Sequence, residues 1–179
     1  MASNEVILGA GNATGMFYTA PAGTALPAYP GADLTAWTEV GDINEDGITY
    51  TPRDKTTLKN WAGTPKRSIP GTDPATIKAL IMDTTESTLK TIFGASNVTV
   101  TAATETHGKL ISVDLDSAPS TAAFLFVAKD GDTMTMVGTT DGLISELGDL
   151  AFKGSEAIQW DVTVAGSWKF VTDDGQIES

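Results

Sequence analysis

His107 is the sole histidine of the chain, and cysteine is absent. A serine–histidine–aspartate relay would have to run through His107, in the polar segment Glu105-Thr106-His107-Gly108-Lys109. No Gly-x-Ser-x-Gly elbow accompanies it. One imidazole without thiolates is too little for a zinc site. Asp42-x-Asn44-x-Asp46-Gly47 matches the first half of a calcium-binding loop. The twelfth position, which calls for a bidentate glutamate, is Arg53. A cation there opposes Ca²⁺, so the segment reads as an acidic turn. Gly9-x-Gly11 follows a strand-like run at 5–8, as in a dinucleotide-binding turn. That use needs a helix to open at once, and Pro21 and Gly23 forbid a long one. The abundant carboxylates leave a paired-acid hydrolase open, but aromatics make up only 7% of the chain, thin for a sugar cleft. The expectation is a protein that is not an enzyme, with no metal and no cofactor.

Charge carries the stronger signal. Residues 51–70 hold Arg53, Lys55, Lys59, Lys66 and Arg67 against one acid, Asp54, and both arginines of the protein lie there. The rest is acidic enough to bring the net charge to −12. A basic loop on an acidic body is self-complementary. Copies can dock loop to body, in a contact that closes into rings or runs on as a filament. The net charge argues against a general nucleic-acid binder, whereas an acidic wall would let DNA pass without sticking.

With 179 residues, 41% of them hydrophobic, the chain reads as one folded domain. The absence of cysteine suits a reducing cytosol. The N-terminus lacks the basic region of a signal peptide, and no run reaches the length of a membrane helix.

The elements that must carry the basic loop are mostly strands. Residues 20–36, rich in Ala, Pro and Gly, read as an extended arm able to lie across a neighbouring subunit. Alternation over 37–43, then Asp46-Gly47, predicts a hairpin returning over 48–51. The middle of 52–70 reads as a strand or hairpin arm with a turn at Gly63-Thr64-Pro65. Residues 74–83 read as a strand. A short helix follows over 84–93, with Leu89, Ile92 and Phe93 on one face. Asp83-x-x-Glu86 is a candidate capping box, Thr84 and Thr85 are rival caps, and Gly94 is the terminator. Strands are expected at 98–101, 109–115, 123–129, 133–138, 143–151, 157–165 and 168–171, with 122–138 a hairpin and 123–128 the central core strand. Trp160 and Trp168 read as core anchors. Strands at this spacing mean a sandwich or barrel.

The run Trp37-x-Glu39-x-Gly41-x-Ile43-x-Glu45-Asp46-Gly47-Ile48, then Arg53-Asp54, Lys59-Asn60-Trp61 and Arg67, resembles the major tail proteins (tail tube proteins) of long non-contractile-tailed bacteriophages. The resemblance implies a mainly β, tail-tube-like sandwich or barrel with one short helix, an N-terminal arm (1–36), a body (37–179) and a protruding loop (51–70). It implies subunits in sixfold rings that stack into a tube through which DNA passes into the host cell. It also implies a life in the virion tail after synthesis in the host cytoplasm. Partners would be further copies of the chain, a tape measure protein, a tail terminator and tail-tip proteins, with no membrane and no specific DNA contact.

The residues expected at contacts between subunits are Trp37, Arg53, Lys55, Lys59, Trp61, Lys66 and Arg67. Trp37 is placed where arm meets body, and strands 143–151 and 155–165 are candidates for an inner sheet shared around the ring. The alternative is a β-sandwich binding or decoration module on a virion or cell surface, which would have little need for the arm at 20–36.

Overall fold

The computed structural model describes residues 14–117, 121–130, 132–150 and 158–173. The expected strand at 5–8, the Gly9-x-Gly11 turn, the 151–157 portion of the two inner-sheet candidates and the polar tail from 174 lie outside the described residues. In chain order the elements are β1 (Thr14–Pro21), β2 (Thr38–Thr51), β3 (Lys55–Lys59), β4 (Pro65–Pro70), β5 (Ala75–Ile81), α1 (Glu86–Phe93), β6 (Val98–Thr101), β7 (Leu110–Val113), β8 (Ala122–Asp130), β9 (Thr133–Leu147), β10 (Trp160–Gly166) and β11 (Lys169–Asp173). The fold is mainly β, with one short helix, as expected.

Two long strands, β2 and β9, organise it. The first part of β2 pairs with β1, its later part with β5. The first part of β9 pairs with β8 and β11, its later part with β10. Sheet I is therefore β2–β1–β8–β9–β11 and sheet II is β2–β5–β10–β9, every pairing antiparallel. Because the sheets share β2 and β9, six strands close into a barrel and β11 is the extra one.

The alternation of β8 explains two cores. Phe124 and Phe126 point between the sheets and join Phe17, Ile77, Ile81, Val162 and Val164. Phe17 and Phe126 stack with centroids 4.6 Å apart. Ala123 and Leu125 point the other way, where they meet Ala20, Trp37 and Met136. That second cluster is covered by the segment between β1 and β2, through Leu26 and Leu34. The continuous apolar run of β8 thus serves both faces of one sheet.

Helix α1 buries Thr88, Leu89, Ile92 and Phe93. Phe93 meets Trp160 edge to face at 5.7 Å, and the Trp160 indole donates to Thr84 Oγ1 at 3.0 Å. Trp168 packs against the main core and donates to the Ala75 carbonyl at 3.3 Å.

Five expectations change in detail. Asp46-Gly47 does not reverse the chain. Asn44 Oδ1 accepts from Asp46 N at 3.0 Å and Gly47 takes φ 68°, making an irregularity between Ile43 and Ile48 within one strand whose two parts both pair with β5. The segment 133–147 is likewise one strand. The arm expected over 1–36 contains β1, a central barrel strand, because Phe17 belongs to the core. Its later part lies on the chain's own sheet I, because Leu26, Leu34 and Trp37 find apolar cover there. The helix is capped by Thr85, not Asp83: Thr85 Oγ1 accepts from Thr88 N at 3.1 Å, with Thr88 the reciprocal partner. Asp83 instead accepts from Asp42 N at 2.8 Å.

Candidate self-assembly surfaces

The basic island folds as the hairpin β3–β4, and every residue of both strands is exposed. Its base is closed by Gly71 N donating to the Asp54 carbonyl at 2.5 Å. A Cβ on Gly71 would stand 2.8 Å from that oxygen, so the closure needs glycine. Its tip is built by Asn60. Asn60 N donates to Thr64 O at 2.9 Å, and Asn60 Oδ1 accepts from Thr64 N at 2.8 Å. Gly63, at φ 77°, completes the turn. Trp61 is thereby held at the tip with its side chain fully exposed.

The register divides the hairpin into two faces. Thr56 opposite Ile69 and Leu58 opposite Arg67 share one, and Lys55 opposite Pro70 and Thr57 opposite Ser68 share the other. Leu58 and Ile69 stay exposed. Among the described residues the ion pairs are Lys78–Asp161, Lys90–Glu86 and Lys109–Glu86, so none of the five hairpin cations is engaged in one. The structure thus gathers Arg53, Lys55, Lys59, Trp61, Lys66 and Arg67 on or beside one protrusion. It does not bring Trp37 to them. Trp37 is only 8% exposed, sits in the cluster on sheet I and donates its backbone N–H to Leu34 O at 2.8 Å.

A second surface contains the later part of β9 and β10, the strands expected in a shared inner sheet, but its edges were not legible in the sequence. Sheet II has two open edges among the described residues. Beyond Asp42, β2 has no partner on the side away from β5, so 48–51 presents an unpaired row. At the opposite side of the sheet, β8 pairs with β9 only as far as Gly142, so 143–147 presents another. Tyr50 lies on the first edge; Leu143 and Leu147 lie on the second, and all three are exposed. Unpaired edges that expose apolar side chains are templates for joining another chain.

Among the described residues no segment lies over the outward face of sheet II, in contrast to the covered face of sheet I. It carries Thr49 and Thr51 from β2, Thr76 and Lys78 from β5, Asp161 and Thr163 from β10, and Glu146 from β9, as the registers Thr49↔Lys78, Thr163↔Lys78 and Thr163↔Glu146 place them. Lys78 Nζ lies 2.8 Å from Asp161 Oδ2. That hydrogen bond, then the charge of Asp161, raises the lysine pKa.

The helix end has its own ion cluster. Glu86 takes Lys90 on Oε1 at 2.5 Å and Lys109 on Oε2, tying α1 to the strand that follows Lys109. The hydrogen bonds from Lys109 and Lys90 lower its pKa to about 2. His107 pairs its Nδ1 with the adjacent Gly108 carbonyl at 2.8 Å. Among the described residues no group of three or more His, Asp or Glu could hold a metal ion, and no helix is long and apolar enough to cross a membrane.

Compared with known families, the chain matches the one described as phage tail tube protein over residues 1–167 of its 179. No curated protein matches it.

Proposed function

The chain belongs to the phage tail tube protein family, and from that premise we propose how the subunit builds the tube. It is a structural component of the virion tail. In our reading, sheet II is the wall of the conduit and continues from copy to copy around a sixfold ring. The 48–51 edge of one copy pairs with the 143–147 edge of the next.

The observation that carries this is the pair of edges, open among the described residues, on opposite sides of one sheet. Their directions support it. β2, β5, β10 and β9 alternate in direction, so β9 runs opposite to β2. A neighbour's β2 laid beside β9 is therefore antiparallel, and the alternation continues without a break. Such closure removes both edges.

The hairpin then reaches the next ring. A two-stranded hairpin with no buried residue is marginal alone and gains from a surface to lie on. Its five cations suit the acidic remainder of another copy, and Trp61 supplies an aromatic anchor. Stacked rings make the passage for DNA, ended by a terminator, begun on tail-tip proteins and measured by a tape measure protein. The whole chain, 1–179, works as one domain in this scheme.

Because the chain has no cysteine, crosslinking tests the ring directly. Thr49 and Ser145 lie on strands separated by two others, so about 14 Å apart at ordinary strand spacing. That exceeds disulfide reach within one copy. Oxidised Thr49→Cys/Ser145→Cys tubes are expected to yield a ladder ending at a closed ring, while each single variant yields none. Tubes whose double variant stays monomeric in denaturing gels, with neighbouring cysteine positions on the two edges equally silent, would overturn the shared sheet. A protein that remains monomeric even on a tail tip would favour a decoration module instead.

A further inference from the structure

Lys78 is the single cation on the outward face of sheet II among the described residues, and it is not free. Asp161 holds it at 2.8 Å from the adjacent strand, where Asp161 sits opposite Leu80 and Thr163 opposite Lys78. Glu146 adds a second, more distant negative charge. The position of the carboxylate is built. Gly148 N donates to the Asp161 carbonyl at 2.8 Å. A Cβ at Gly148 would lie 2.7 Å from Asp161 Oδ2, so only glycine leaves that space.

We propose that Asp161 keeps the wall from holding DNA by neutralising Lys78. The inference rests on the placement of sheet II as the wall of the conduit. In that setting one lysine per subunit is repeated around every ring and along the whole tube. A phosphate contact too weak to matter once becomes strong when repeated along a bound polymer. Covering each lysine with a carboxylate of the same subunit leaves a wall of threonine hydroxyls, the uncharged Leu80 and Ala165, and a small excess of negative charge, over which a polyanion slides.

The test uses assembled tubes and short blunt duplex DNA, measured by co-sedimentation across a salt series. Wild-type tubes are expected to leave the duplex in the supernatant. Asp161→Asn tubes are expected to retain roughly ten times more at low salt, with the log–log salt slope steepened by about 0.9 for each lysine that meets a phosphate. Lys78→Ala/Asp161→Asn should return to the wild-type level. Equal retention by wild type and Asp161→Asn overturns the proposal, as does retention that survives Lys78→Ala.

Labelling separates this from failure of the wall placement. Thr163→Cys tubes should react with a small maleimide and resist a polymer-linked one, while the unassembled subunit reacts with both. Reaction of the tubes with the bulky reagent would remove sheet II from the wall. Should Asp161→Asn fail to assemble, the unassembled subunit still decides. Lys78 should acylate severalfold more slowly than Lys169 in wild type and catch up in Asp161→Asn; equal rates in wild type would overturn the masking.

Discussion

The Thr88 hydroxyl donates to the Val40 carbonyl at 2.8 Å, joining the first turn of α1 to β2, one of the two strands that both sheets share. Thr88 is fully buried and is also the reciprocal partner of the Thr85 cap. Around this bond Ser87 Oγ donates to Glu39 O at 2.7 Å. These side chains satisfy carbonyls of β2 where its pairing with β1 shifts register. Thr88→Val keeps the shape and removes the donor, which leaves a buried carbonyl unmet. The expected loss is about 1–3 kcal/mol. Thr88→Ser should lose less, since the hydroxyl remains. Urea unfolding of the unassembled subunit measures both, and an unchanged midpoint for Thr88→Val would show that water meets the carbonyl instead.

The Glu86 cluster should make stability depend on acid. The folded-state pKa is depressed from 4.5 to about 2, first by Lys109 and then by Lys90. A depressed carboxylate contributes stability above its unfolded value and loses it as pH falls through its folded value. The contribution is therefore complete above pH 4.5 and gone near pH 2. Glu86→Gln is expected to melt lower than wild type at neutral pH, with the gap closing across that window. Added salt should narrow the gap as well, because the group lies at the surface. Parallel melting curves for the two proteins from neutral pH to pH 2 would mean that the lysines contribute nothing through Glu86.

Gly138 lies under Leu26. A Cβ there would stand 2.5 Å from Leu26 Cδ2 and 3.1 Å from Leu125 Cδ1. Glycine on β9 thus lets the segment between β1 and β2 lie flat on sheet I. Gly138→Ala should lift that segment, costing about 1–3 kcal/mol by overpacking and opening residues 22–36 to protease. Leu26→Ala makes room for the methyl, so the double variant should lose less than the sum of the singles. Strict additivity would place the strain elsewhere.

The sequence disclosed what depends on local period and failed where pairing is non-local. Leu89, Ile92 and Phe93 marked the helix, and the apolar run of β8 marked the central strand, because neither signal needs a partner. The two strands that turn from one sheet into the other were each read as two pieces. In β2 the Asp46-Gly47 pair looked like a reversal, but β5 pairs on both sides of it and draws the strand onward. In β9 the glycine of Asp141-Gly142 serves contact: its Cβ would stand 2.6 Å from Phe124 Cδ2. Of the candidate contact residues, Arg53, Lys55, Lys59, Lys66 and Arg67 marked an exposed basic island by their charge, and the structure sets them with Trp61 on or beside one hairpin. Trp37 was not separable from them, since a tryptophan at a segment boundary suits a core as well as an interface. The edges at 48–51 and 143–147, open among the described residues, were hidden because what pairs beside a strand is non-local.

That division among the candidate residues yields the last prediction. Replacing Arg53, Lys59, Trp61, Lys66 and Arg67 together by serine should barely alter the unassembled subunit, each change staying within about 0.5 kcal/mol at such exposed positions. Trp37→Ala should cost the same subunit about 3–5 kcal/mol, because it empties a buried site. In tube assembly, followed by light scattering and electron microscopy, the serine variant should fail while remaining folded. The contributions can be separated by salt. Trp61→Ser should weaken assembly and keep its salt dependence, since burial of an aromatic is not screened. Replacing the four cations of this set alone should weaken assembly and flatten the salt dependence, since four of the five hairpin charges that salt screens are gone. Tubes of normal length from the five-residue variant would remove the hairpin from ring stacking and leave its charge to some other partner.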